Sequence, residues 1–510
     1  MAVPQPAQAA AGAVTTRPLR APRRYDMVAA EWSRGSGTVW LRGRAATGRW
    51  SRWAQLDESE EALRHGVGTE PIWAGGYDYV QLRTSRPLRG LHLHFVRIAR
   101  EARAAKTLRT VQVPAPQGGT LDVVPRSAWG ASRCKPRATA GYGQVDFGIV
   151  HHTTTLNGYR RSDSPAIVLG ICLFHRNVNG WNDIGYNMLV DKYGQVFEGR
   201  RGGIDEPVVG AQAGGFNLWS AGVATLGNFS YRQFSAAGVN AVAHVLAWKL
   251  SISGVPAEGK TTVTSNGGPN TPFSQGTPVT VNRISGHRDV DSTACPGNAL
   301  YAQLPELRKQ VASLEGPVSQ LSLTTPNSTL PFPQQLVVSG KLTPPAGLAI
   351  PAGATVQIQD RLAAGGRTLA TLPLAADGGF TGSLPIAHND VVRAFYTGDG
   401  SLPRVSAAPV YVSVVPVLSL QASSPSVAAG SAVTLTGTVT PAKRRVIVEE
   451  QRLRRGAFRR VRLIRAGVAN GAFRLGVKLR RAGGYRFIAR APADRLTALG
   501  ASAPVAVNAG

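Results

Sequence analysis

Short runs of alternating hydrophobic and polar residues occur near the amino terminus of this chain. Between residues 25 and 100, runs such as "TVWLRGR" and "YVQLRTS" place apolar side chains at every second position, and glycine-containing turns separate them. Alternation with a period of two is typical of strands with one buried face. The pattern predicts a small all-β domain over residues 25–100.

The hydrophobic pattern changes in the central part of the chain, from about residue 121 to residue 316. Strand-like runs such as "FGIVHH", "YNMLVD" and "AGVATLGNF" alternate there with segments of helical period at 164–178, 235–251 and 299–314. Ser, Ser and Asn stand near the starts of these three segments as candidate N-caps. The segment 121–316 is therefore predicted to be an α/β domain.

The carboxyl-terminal part of the chain is a sequence repeat. The segment "LSLTTPNSTLPFPQQLVVSGKLTP" aligns without gaps on "LSLQASSPSVAAGSAVTLTGTVTP" at a constant offset of 97, which superposes Gly340 on Gly437. Evenly spaced short strands with Gly and Asn turns are typical of sandwiches. We predict two β-sandwich (Ig-like) domains, repeat 1 over 317–416 and repeat 2 over 417–510.

Two segments have the composition of a linker or of a processed export signal. Residues 1–24 are rich in Ala, Pro and Arg and are predicted to be disordered. Their "AQAAAG" resembles the small-residue tail of a signal cleavage site, so they are interpreted as a remnant of an export signal, with the true start either upstream or near the mature end. Residues 101–120 are predicted to be a linker that begins as the tip of a charged helix.

The overall charge requires an anionic partner or surroundings. The 510 residues include 57 Lys and Arg against 29 Asp and Glu, a net charge of +28. Nucleic acid is the first candidate, but the sequence has no paired Cys/His finger, no basic heptad repeat and no RNP-like aromatic signature. Nucleic acid is therefore an unlikely partner. No apolar run reaches the roughly 18 residues of a transmembrane helix.

Two segments carry candidate metal ligands. "VDFGIVHHTTT" ends a strand-like run with His151 and His152, and "SGHRDVDSTACPG" places His287 eight residues before Cys295. Imidazole and thiolate are preferred zinc ligands, and three protein ligands with one open position are typical of catalytic zinc. One histidine of the pair, with His287 and Cys295, would form such a site. Spacing alone equally allows a buried histidine pair and an inert cysteine.

Four ordered motifs resolve this ambiguity: "VHHTTT", "GWNDIGYNMLVDKYGQVFEGRRGG", "VVGAQAGGFNLWSAGVATLGNF" and "GHRDVDSTACPGNALYAQLPELR", preceded by "VVPRSAWGA". With them, residues 122–315 resemble the peptidoglycan recognition protein (PGRP) and type 2 N-acetylmuramoyl-L-alanine amidase family, in a bacterial, secreted, multidomain form. The resemblance implies a mixed sheet flanked by helices, one zinc ion, and hydrolysis of the amide between N-acetylmuramic acid and L-alanine in peptidoglycan. It also implies a protein that is secreted or associated with the cell wall.

The resemblance assigns residues one by one. The family's zinc ligands fall on His151, His287 and Cys295. Its catalytic tyrosine falls on Tyr186, and Thr293 occupies a position that is threonine in many PGRP amidases and lysine in phage-type relatives. A zinc-bound water is a usable nucleophile near neutral pH, and Tyr186 and Thr293 would supply hydrogen bonds to the water or to the developing oxyanion.

The same motifs give candidate substrate contacts. His152 is expected to line the cleft or to pack, because adjacent strand residues point to opposite faces. Trp181, Arg200 and Asn217 are expected to contact the stem peptide or the sugar, although Trp181 in the core and Arg200 in a surface ion pair are the structural alternatives. Gln212 stands where many relatives carry a histidine. This difference is expected to alter the ligand contacts at the edge of the cleft near Gln212 and to leave the metal site untouched.

The two other cysteines are Cys134 and Cys172. An exported protein tends to oxidise such a pair, and related bacterial sequences often hold a disulfide in this area. Whether these two residues form it stays open at this stage.

A non-catalytic peptidoglycan-binding protein is the alternative function. Binders of this family typically lack the cysteine ligand, so the intact set in this chain favours the hydrolase.

The net charge is concentrated in repeat 2. Residues 120–316 hold 17 Lys and Arg against 13 Asp and Glu, or +4, whereas residues 441–495 hold 17 against 3, or +14. Uniform codon bias would not concentrate charge in this way. We predict that repeat 2 contacts anionic wall polymers or an anionic envelope surface.

Overall fold

The computed structural model describes residues 14–56, 58, 66–98, 108–362 and 367–510. The chain divides into two compact units. Unit 1 contains the amino-terminal β domain and the central α/β domain, and unit 2 contains most of the two repeats. Unit 1 comprises Met1–Gln320, Pro344–Ala349 and Thr397–Ala408, and unit 2 comprises Leu321–Thr343, Ile350–Tyr396 and Pro409–Gly510.

The amino-terminal domain is all-β, as predicted. Its sheet has the order β4-β3-β6-β2-β5, with β1 paired to β6 and β7 paired to β2. Its strands are β1 (Val14–Thr15), β2 (Leu19–Trp32), β3 (Val39–Arg44), β4 (Ala54–Leu56), β5 (Val67–Gly68), β6 (Ile72–Thr84) and β7 (His92–Val96).

The predicted disorder of residues 1–24 is wrong for residues 14–24. Strand β2 begins at Leu19, and Leu19 and Arg20 pair with Val80 and Tyr79 of β6. Pairing with a distant strand overrides the Pro- and Arg-rich local composition, which gave no strand signal. Residues 1–13 of the predicted segment lie outside the described residues.

The predicted linker over 101–120 is also wrong for its second half. Strand β8 (Val111–Pro114) pairs antiparallel with β9 (Thr120–Val124) and forms the edge of the central sheet. The α/β domain therefore begins before residue 121. The predicted helix tip falls mainly on residues 99–107, which lie outside the described part of the chain.

The α/β domain has a mixed seven-stranded sheet in the order β16-β10-β13-β11-β12-β9-β8. The pairs of β10 with β13 and with β16 are parallel, and the pair of β11 with β12 is antiparallel. Strands β14 and β15 form a separate hairpin. The remaining strands are β10 (Phe147–His152), β11 (Met188–Val190), β12 (Val196–Glu198), β13 (Ser220–Thr225), β14 (Lys260–Thr264), β15 (Pro278–Asn282) and β16 (Ile284–Gly286).

Helices cover both faces of this sheet. Residues of α2 and α4 share one core with Val150 and Val223, and residues of α1 share another with Leu189 and Ala224. The prediction of a mixed sheet flanked by helices is confirmed. The helices are α1 (Ser164–Asn177), α2 (Ala236–Ile252), α3 (Asn298–Tyr301) and α4 (Leu304–Glu315), and single 3₁₀ turns lie at Pro116–Gly118, Ala131–Arg133, Arg161–Asp163 and His287–Asp289.

The predicted helix caps are correct in one case of three. The Ser235 hydroxyl accepts a hydrogen bond from Gly238 N at 3.1 Å and caps α2. Ser164 lies inside α1, where its hydroxyl donates to Asp191 at 2.6 Å. Asn298 begins α3 without capping it, and the predicted helix over 299–314 is two helices, because a new helix with proline in its first turn starts at Leu304.

Both repeats consist of two β-sheets. In repeat 2, residues of β29 share a core with residues of β30 and β33, which belong to the other sheet, so repeat 2 is a sandwich. The strands of repeat 1 are β17 (Gln320–Leu321), β18 (Thr329–Pro331), β19 (Gln335–Thr343), β20 (Thr355–Asp360), β21 (Arg367–Pro373), β22 (Gly379–Pro385), β23 (Asp390–Tyr396), β24 (Val405–Ser406) and β25 (Val410–Val415). Those of repeat 2 are β26 (Val417–Leu418), β27 (Gln421–Ala422), β28 (Ser426–Val427), β29 (Ala432–Thr440), β30 (Arg445–Arg454), β31 (Ala457–Gly467), β32 (Ala472–Lys478), β33 (Gly483–Ala491), β34 (Gly500–Ala501) and β35 (Val505–Ala509).

One pair of glycines shows that the repeats are structurally equivalent. A Cβ on Gly340 would lie 2.1 Å from Ser322 O, and a Cβ on Gly437 would lie 2.2 Å from Ser419 O. A phenylalanine ring packs at 2.4 Å from each of these positions. The aligned glycines of the sequence repeat therefore occupy the same close contact in both domains. The Ig-like assignment of the two sandwiches stays a prediction.

Candidate metal centre and active-site cleft

Two adjacent parallel strands bring His151 and His287 together. Val150 of β10 pairs with Gly286 of β16, and each histidine is the next residue in the chain, His151 still within β10 and His287 directly after the end of β16. Parallel strands that end at the same edge deliver their side chains side by side. The centroids of the two imidazole rings lie 4.4 Å apart, and both side chains are buried.

Cys295 reaches the same point from the loop that follows His287. Its backbone N donates to the Thr293 hydroxyl at 2.9 Å, and its carbonyl accepts from Arg288 N at 3.0 Å. The backbone N of His152 donates to Cys295 Sγ at 3.4 Å. An N–H donor at this sulfur favours the thiolate, which is the form that binds metal.

The donor set of His151, His287 and Cys295 fits a zinc ion. One ligand atom from each residue lies within 4.8 Å of the other two. The Nδ1 atom of His151 is 3.7 Å from Cys295 Sγ. Zinc–nitrogen and zinc–sulfur bonds of about 2.0 and 2.3 Å in tetrahedral geometry separate the two donor atoms by roughly 3.6 Å. Two imidazoles and a thiolate would hold a zinc ion with three protein ligands, which would leave one coordination position open for water or substrate.

Two further side chains fix which nitrogen of each imidazole faces the donor cluster. Gln212 Oε1 contacts Nε2 of His151, and Asp291 Oδ2 lies 2.8 Å from Nε2 of His287. Gln212 is oriented by donation from its Nε2 to Ser220 Oγ at 2.8 Å, so its oxygen points to the imidazole. Each imidazole therefore carries its proton on Nε2, and Nδ1 is the nitrogen that would bind the metal.

The expectation that Gln212 leaves the metal site untouched is wrong. Its oxygen is a direct partner of His151, and Gly222 provides the space, because a Cβ there would lie 2.6 Å from Gln212 Cδ. The roles of Gln212 and Asp291 were not predicted. Asp291 could have been predicted as a partner of His287, because it follows His287 by four residues in "HRDVD".

Burial keeps His151 and His175 neutral. Desolvation, and then the neighbouring His287, lower the pKa of His151 well below its ordinary value. Burial, and then Arg200, lower the pKa of His175 to about 3. Neutral imidazole is the metal-binding form, so His151 does not have to lose a proton before it can bind a metal near neutral pH.

A cavity opens over the donor atoms and includes three of the other predicted residues, His152, Tyr186 and Trp181. The ring of Tyr186 lies 5.3 Å from that of His151, and the ring of Trp181 lies 4.5 Å from that of His175. His175 also lines the cavity and was not predicted, because a histidine inside a helical run gives no separate signal. His152 accepts a hydrogen bond from Phe229 N at 3.2 Å.

The other three predicted residues are not among the described residues that line this cavity. The Thr293 hydroxyl orients the Cys295 loop, as described above. Arg200 is half-buried and donates to Ile184 O at 3.1 Å, rather than forming the surface ion pair considered as its alternative. The Asn217 side chain accepts from Gln212 N at 2.8 Å and from Ala213 N at 3.1 Å, so it shapes the Gln212 loop.

Cys134 and Cys172 form a disulfide, 38 residues apart in sequence. The bond joins the loop after β9 to the middle of α1. Asp183 lies beside it and is held by Arg126 at 3.1 Å and by the Arg201 N at 2.9 Å. Cys134, Cys172 and Asp183 are therefore structural, and Cys295 is the one cysteine of the described residues that lies outside the disulfide.

Comparison with known proteins concerns the family of two of the domains. Residues 141–298 match the family described as N-acetylmuramoyl-L-alanine amidase (Amidase_2), so the central domain is a PGRP/type 2 amidase domain, as the motifs predicted. Residues 2–117 match the family described as "Rv3811 N-terminal galactose-binding domain-like".

Individual relatives match mainly over this central domain. The chain is 28% identical over 186 residues to "Peptidoglycan-recognition protein SC2" of Drosophila simulans, which covers 36% of this chain and 85% of that protein. It is 28% identical over 218 residues to "N-acetylmuramoyl-L-alanine amidase" of Mus musculus, which covers 41% of this chain and 35% of that protein. The solved structure "Drosophila PGRP-LB wild-type" is 25% identical, with 36% of this chain and 91% of that chain covered and a TM-score of 0.28.

Within the described residues, every helix is too short or too polar to cross a bilayer.

Proposed function

We propose that this protein is a zinc-dependent N-acetylmuramoyl-L-alanine amidase that hydrolyses the amide bond between N-acetylmuramic acid and L-alanine in bacterial peptidoglycan. The observation that carries the proposal is the cluster of His151, His287 and Cys295 at the floor of a cavity inside an Amidase_2 domain. A peptidoglycan-binding protein would need the cavity but not three converging metal ligands. The intact ligand set therefore favours hydrolysis over binding alone.

A zinc ion held by these three residues would polarise the scissile carbonyl and lower the pKa of a bound water to near neutrality. Gln212 and Asp291 keep both imidazoles in the Nε2–H tautomer, so the ligands are oriented before the metal arrives. The backbone N–H of His152 stabilises the negative charge on Cys295 Sγ. All three contacts are made by residues of this chain.

Tyr186 is the residue proposed to act on the reacting atoms. It is half-buried in the cavity wall, next to the imidazole of His151. A phenol hydroxyl is a hydrogen-bond donor and not a base at neutral pH. Its hydroxyl would hold the attacking water or the oxygen that becomes negative as the amide carbon turns tetrahedral.

Thr293 is proposed as a second, weaker contributor. Its hydroxyl oxygen accepts from Cys295 N, so the hydroxyl proton is directed to another acceptor. His152, Trp181, Arg200 and Asn217 stay proposed substrate contacts. For Arg200 and Asn217 the hydrogen bonds to neighbouring loops favour positioning of the cleft wall over direct contact.

We further propose that the protein acts outside the cell, at the bacterial wall. The Cys134–Cys172 disulfide is stable in an oxidising compartment, which supports export. Repeat 2 is proposed to hold the enzyme on anionic wall polymers or on an anionic envelope surface. Its edge strand β31 exposes Arg459, Arg460, Arg462 and Arg465 beside the exposed apolar side chain of Leu463.

Digestion of purified peptidoglycan tests the proposed reaction. Zinc-loaded protein should release peptides with a free L-alanine amino group from glycan strands that stay intact, and a chelator should stop the release until zinc is returned. Mass analysis of the soluble products distinguishes this bond from others. Sedimentation with peptidoglycan but no released peptide would show a binding protein, and released sugars would show a different hydrolase.

A further inference from the structure

The outward face of strands β3 and β6 in the amino-terminal β domain carries arginine and aromatic side chains. Along β3, buried residues of the domain core alternate with half-buried ones, and the half-buried positions are Trp40, Arg42 and Arg44. Tyr79 and Arg83 of β6 pair with Arg44 and Trp40, so their side chains lie on the same face of the sheet. This face is therefore turned away from the core of the domain.

Two more tryptophans reach this face from the loop between β3 and β4. The guanidinium carbon of Arg42 lies 5.1 Å from the ring centroid of Trp50 and 4.6 Å from that of Trp53. Its Nε and Nη2 atoms donate to Gln81 Oε1 at 2.9 and 2.7 Å. The guanidinium group is thus fixed between two indole rings by a neighbour on β6.

The other two arginines also stack on aromatic rings. The guanidinium carbon of Arg44 lies 4.2 Å from the ring centroid of Tyr79, and that of Arg83 lies 4.8 Å from the ring centroid of Trp40. Among the described residues, none of the three arginines forms an ion pair with a carboxylate. We name this surface the arginine–aromatic face, and its members are Trp40, Arg42, Arg44, Trp50, Trp53, Tyr79 and Arg83.

The charge on this face has no compensation within the described residues. Arg42 and Arg44 are two positions apart on one strand, so their backbones are separated by roughly 7 Å, and like charges at such distances destabilise a sheet. Three of the nine tryptophans of the chain also lie here, outside the core. Cation–π contacts stabilise single pairs, but an anionic partner would also relieve the repulsion among the arginines.

The arrangement of rings and cations fits a sugar chain that carries carboxylates. A sugar ring presents C–H groups on its faces, which stack on aromatic rings, and guanidinium groups bind carboxylates through two parallel hydrogen bonds. Side chains that are already held in place bind at a lower entropy cost. The rings of this face are half-buried and do not protrude as side chains that insert into a lipid layer do.

We propose that the arginine–aromatic face binds glycan strands of peptidoglycan from which the stem peptides have been removed. This inference rests on the proposed amidase reaction. Water adds across the amide bond, so that the amine leaves with L-alanine and the lactyl group of N-acetylmuramic acid keeps the carboxylate. That carboxylate is ionised at neutral pH, and each stripped sugar carries one. The face then holds the enzyme on strands that it has already processed.

The test compares two tetrasaccharides of alternating N-acetylglucosamine and N-acetylmuramic acid that carry no peptide. One has free lactyl carboxylates, and in the other both are N-methylamides. In calorimetric titrations of zinc-loaded, full-length protein, the wild type should bind the acid about tenfold more tightly, as expected for one or two partly exposed ion pairs. In Arg42→Gln/Arg83→Gln the ratio should fall to about one. Mass analysis after each titration checks that neither compound was hydrolysed.

Trp50→Ala separates stacking from charge. Loss of the ring should weaken binding of both tetrasaccharides by about tenfold and leave their ratio unchanged, because stacking does not depend on the carboxylate. Arg83→Gln alone guards against misfolding of the double variant, since the described contacts of Arg83 are with rings only. It should lower the ratio by an intermediate amount at an unchanged unfolding midpoint.

Arg459→Gln/Arg460→Gln on β31 is the matched control, because it removes the same charge from exposed positions of another domain. It should keep the tenfold ratio. An unchanged ratio in Arg42→Gln/Arg83→Gln and in Arg83→Gln overturns the inference. Equal binding of the two tetrasaccharides by the wild type also overturns it, and binding of single-stranded DNA that only the Arg42→Gln/Arg83→Gln variant loses would then assign the face to nucleic acid.

Failure of the proposed function gives a different result. A wild type that prefers the acid tetrasaccharide but releases no peptide from peptidoglycan would contradict the amidase proposal and leave the face as a binding site for stripped glycan. A wild type that releases peptide but binds both tetrasaccharides equally would contradict this inference alone.

Discussion

The candidate active-site cleft and strand β31 of repeat 2 differ in how their functional side chains are exposed to solvent. In the cleft, two imidazoles and the sulfur of Cys295 are buried, and one hydrogen bond at Nε2 orients each imidazole, within a segment whose net charge is only +4. On β31, four arginines lie exposed on the edge of a sheet, within a segment of +14. Buried groups act through fixed geometry, whereas exposed charges act through a screened field.

Repeat 1 shows that the sandwich fold does not require this charge. Its aligned segment, 344–398, holds three arginines and three aspartates, a net charge of zero, against +14 in 441–495 of repeat 2. Its edge strand β21 occupies the place of β31 and carries Arg367 as its one basic residue. Protection of a sheet edge therefore does not account for the arginines of β31, which is why we propose an anionic partner for them.

Replacement of Tyr186 by Phe should give the largest functional effect of the substitutions that keep the metal. Loss of one donor to the developing oxyanion lowers kcat by about 10²–10³-fold, while zinc content and the unfolding midpoint stay at wild-type values. Steady-state kinetics on a soluble muropeptide measure the change. Tyr231→Phe is the control, since Tyr231 is 93% exposed in the same domain. Equal turnover in both variants would show that Tyr186 only packs.

Replacement of Asp291 by Ala should weaken the metal site without removing a ligand. The Nε2–H of His287 loses its acceptor, and such losses reduce metal affinity by about 10–100-fold. Competition with a chromogenic chelator gives the zinc Kd. Asp122→Ala on β9 removes an exposed carboxylate and should leave the Kd at the wild-type value. An unaltered Kd in Asp291→Ala would mean that His287 is oriented by packing alone.

Removal of positive charge from β31 tests whether its exposed arginines bind the cell wall. Arg459, Arg460 and Arg465 changed together to Gln should weaken sedimentation with whole cell walls by about tenfold at low salt, because each exposed charge contributes up to about 1 kcal/mol. Cleavage of a small soluble muropeptide should not change. Salt of a few tenths molar should weaken wall binding of the wild type to a similar degree.

The control for β31 removes the same charge elsewhere, through Arg160, Arg161 and Arg232 of the α/β domain, which are also exposed. That variant should bind walls like the wild type. If both triple variants lose binding equally, net charge and not β31 is responsible.

The smallest effect is expected at Glu315, a buried carboxyl of α4 that lies outside the cleft. Burial, only partly offset by donation from Ala257 N, raises its pKa to about 8. A folded-state pKa above the unfolded value means that the free energy of unfolding declines as pH rises from about 4.5 to 8. Denaturant titrations at pH 5 and pH 8 should show this decline, and Glu315→Gln should reduce it. Glu258→Gln, an exposed neighbour of Ala257, should not.

The sequence predicted the features that depend on contiguous residues. Strand β10 and helices α1 and α2 follow from local periodicity, the repeat offset follows from self-alignment, and the motifs identified the three residues that we propose as metal ligands. Gln212 lies 61 residues from its partner His151, and Glu58 lies 237 residues from Cys295, which lines the same cavity. No local pattern in the sequence encodes either contact. The first part of β2, residues 19–24, was missed for the same reason, because its partner β6 lies far along the chain.

Zinc content of the purified protein tests the central claim most directly. Elemental analysis should find about one zinc per chain in the wild type and in the Tyr186→Phe and β31 variants. It should find almost none in His151→Ala, His287→Ala or Cys295→Ala, because loss of one of three ligands leaves an inadequate site. Full zinc occupancy in all three ligand variants would contradict the assignment of His151, His287 and Cys295 as the metal centre.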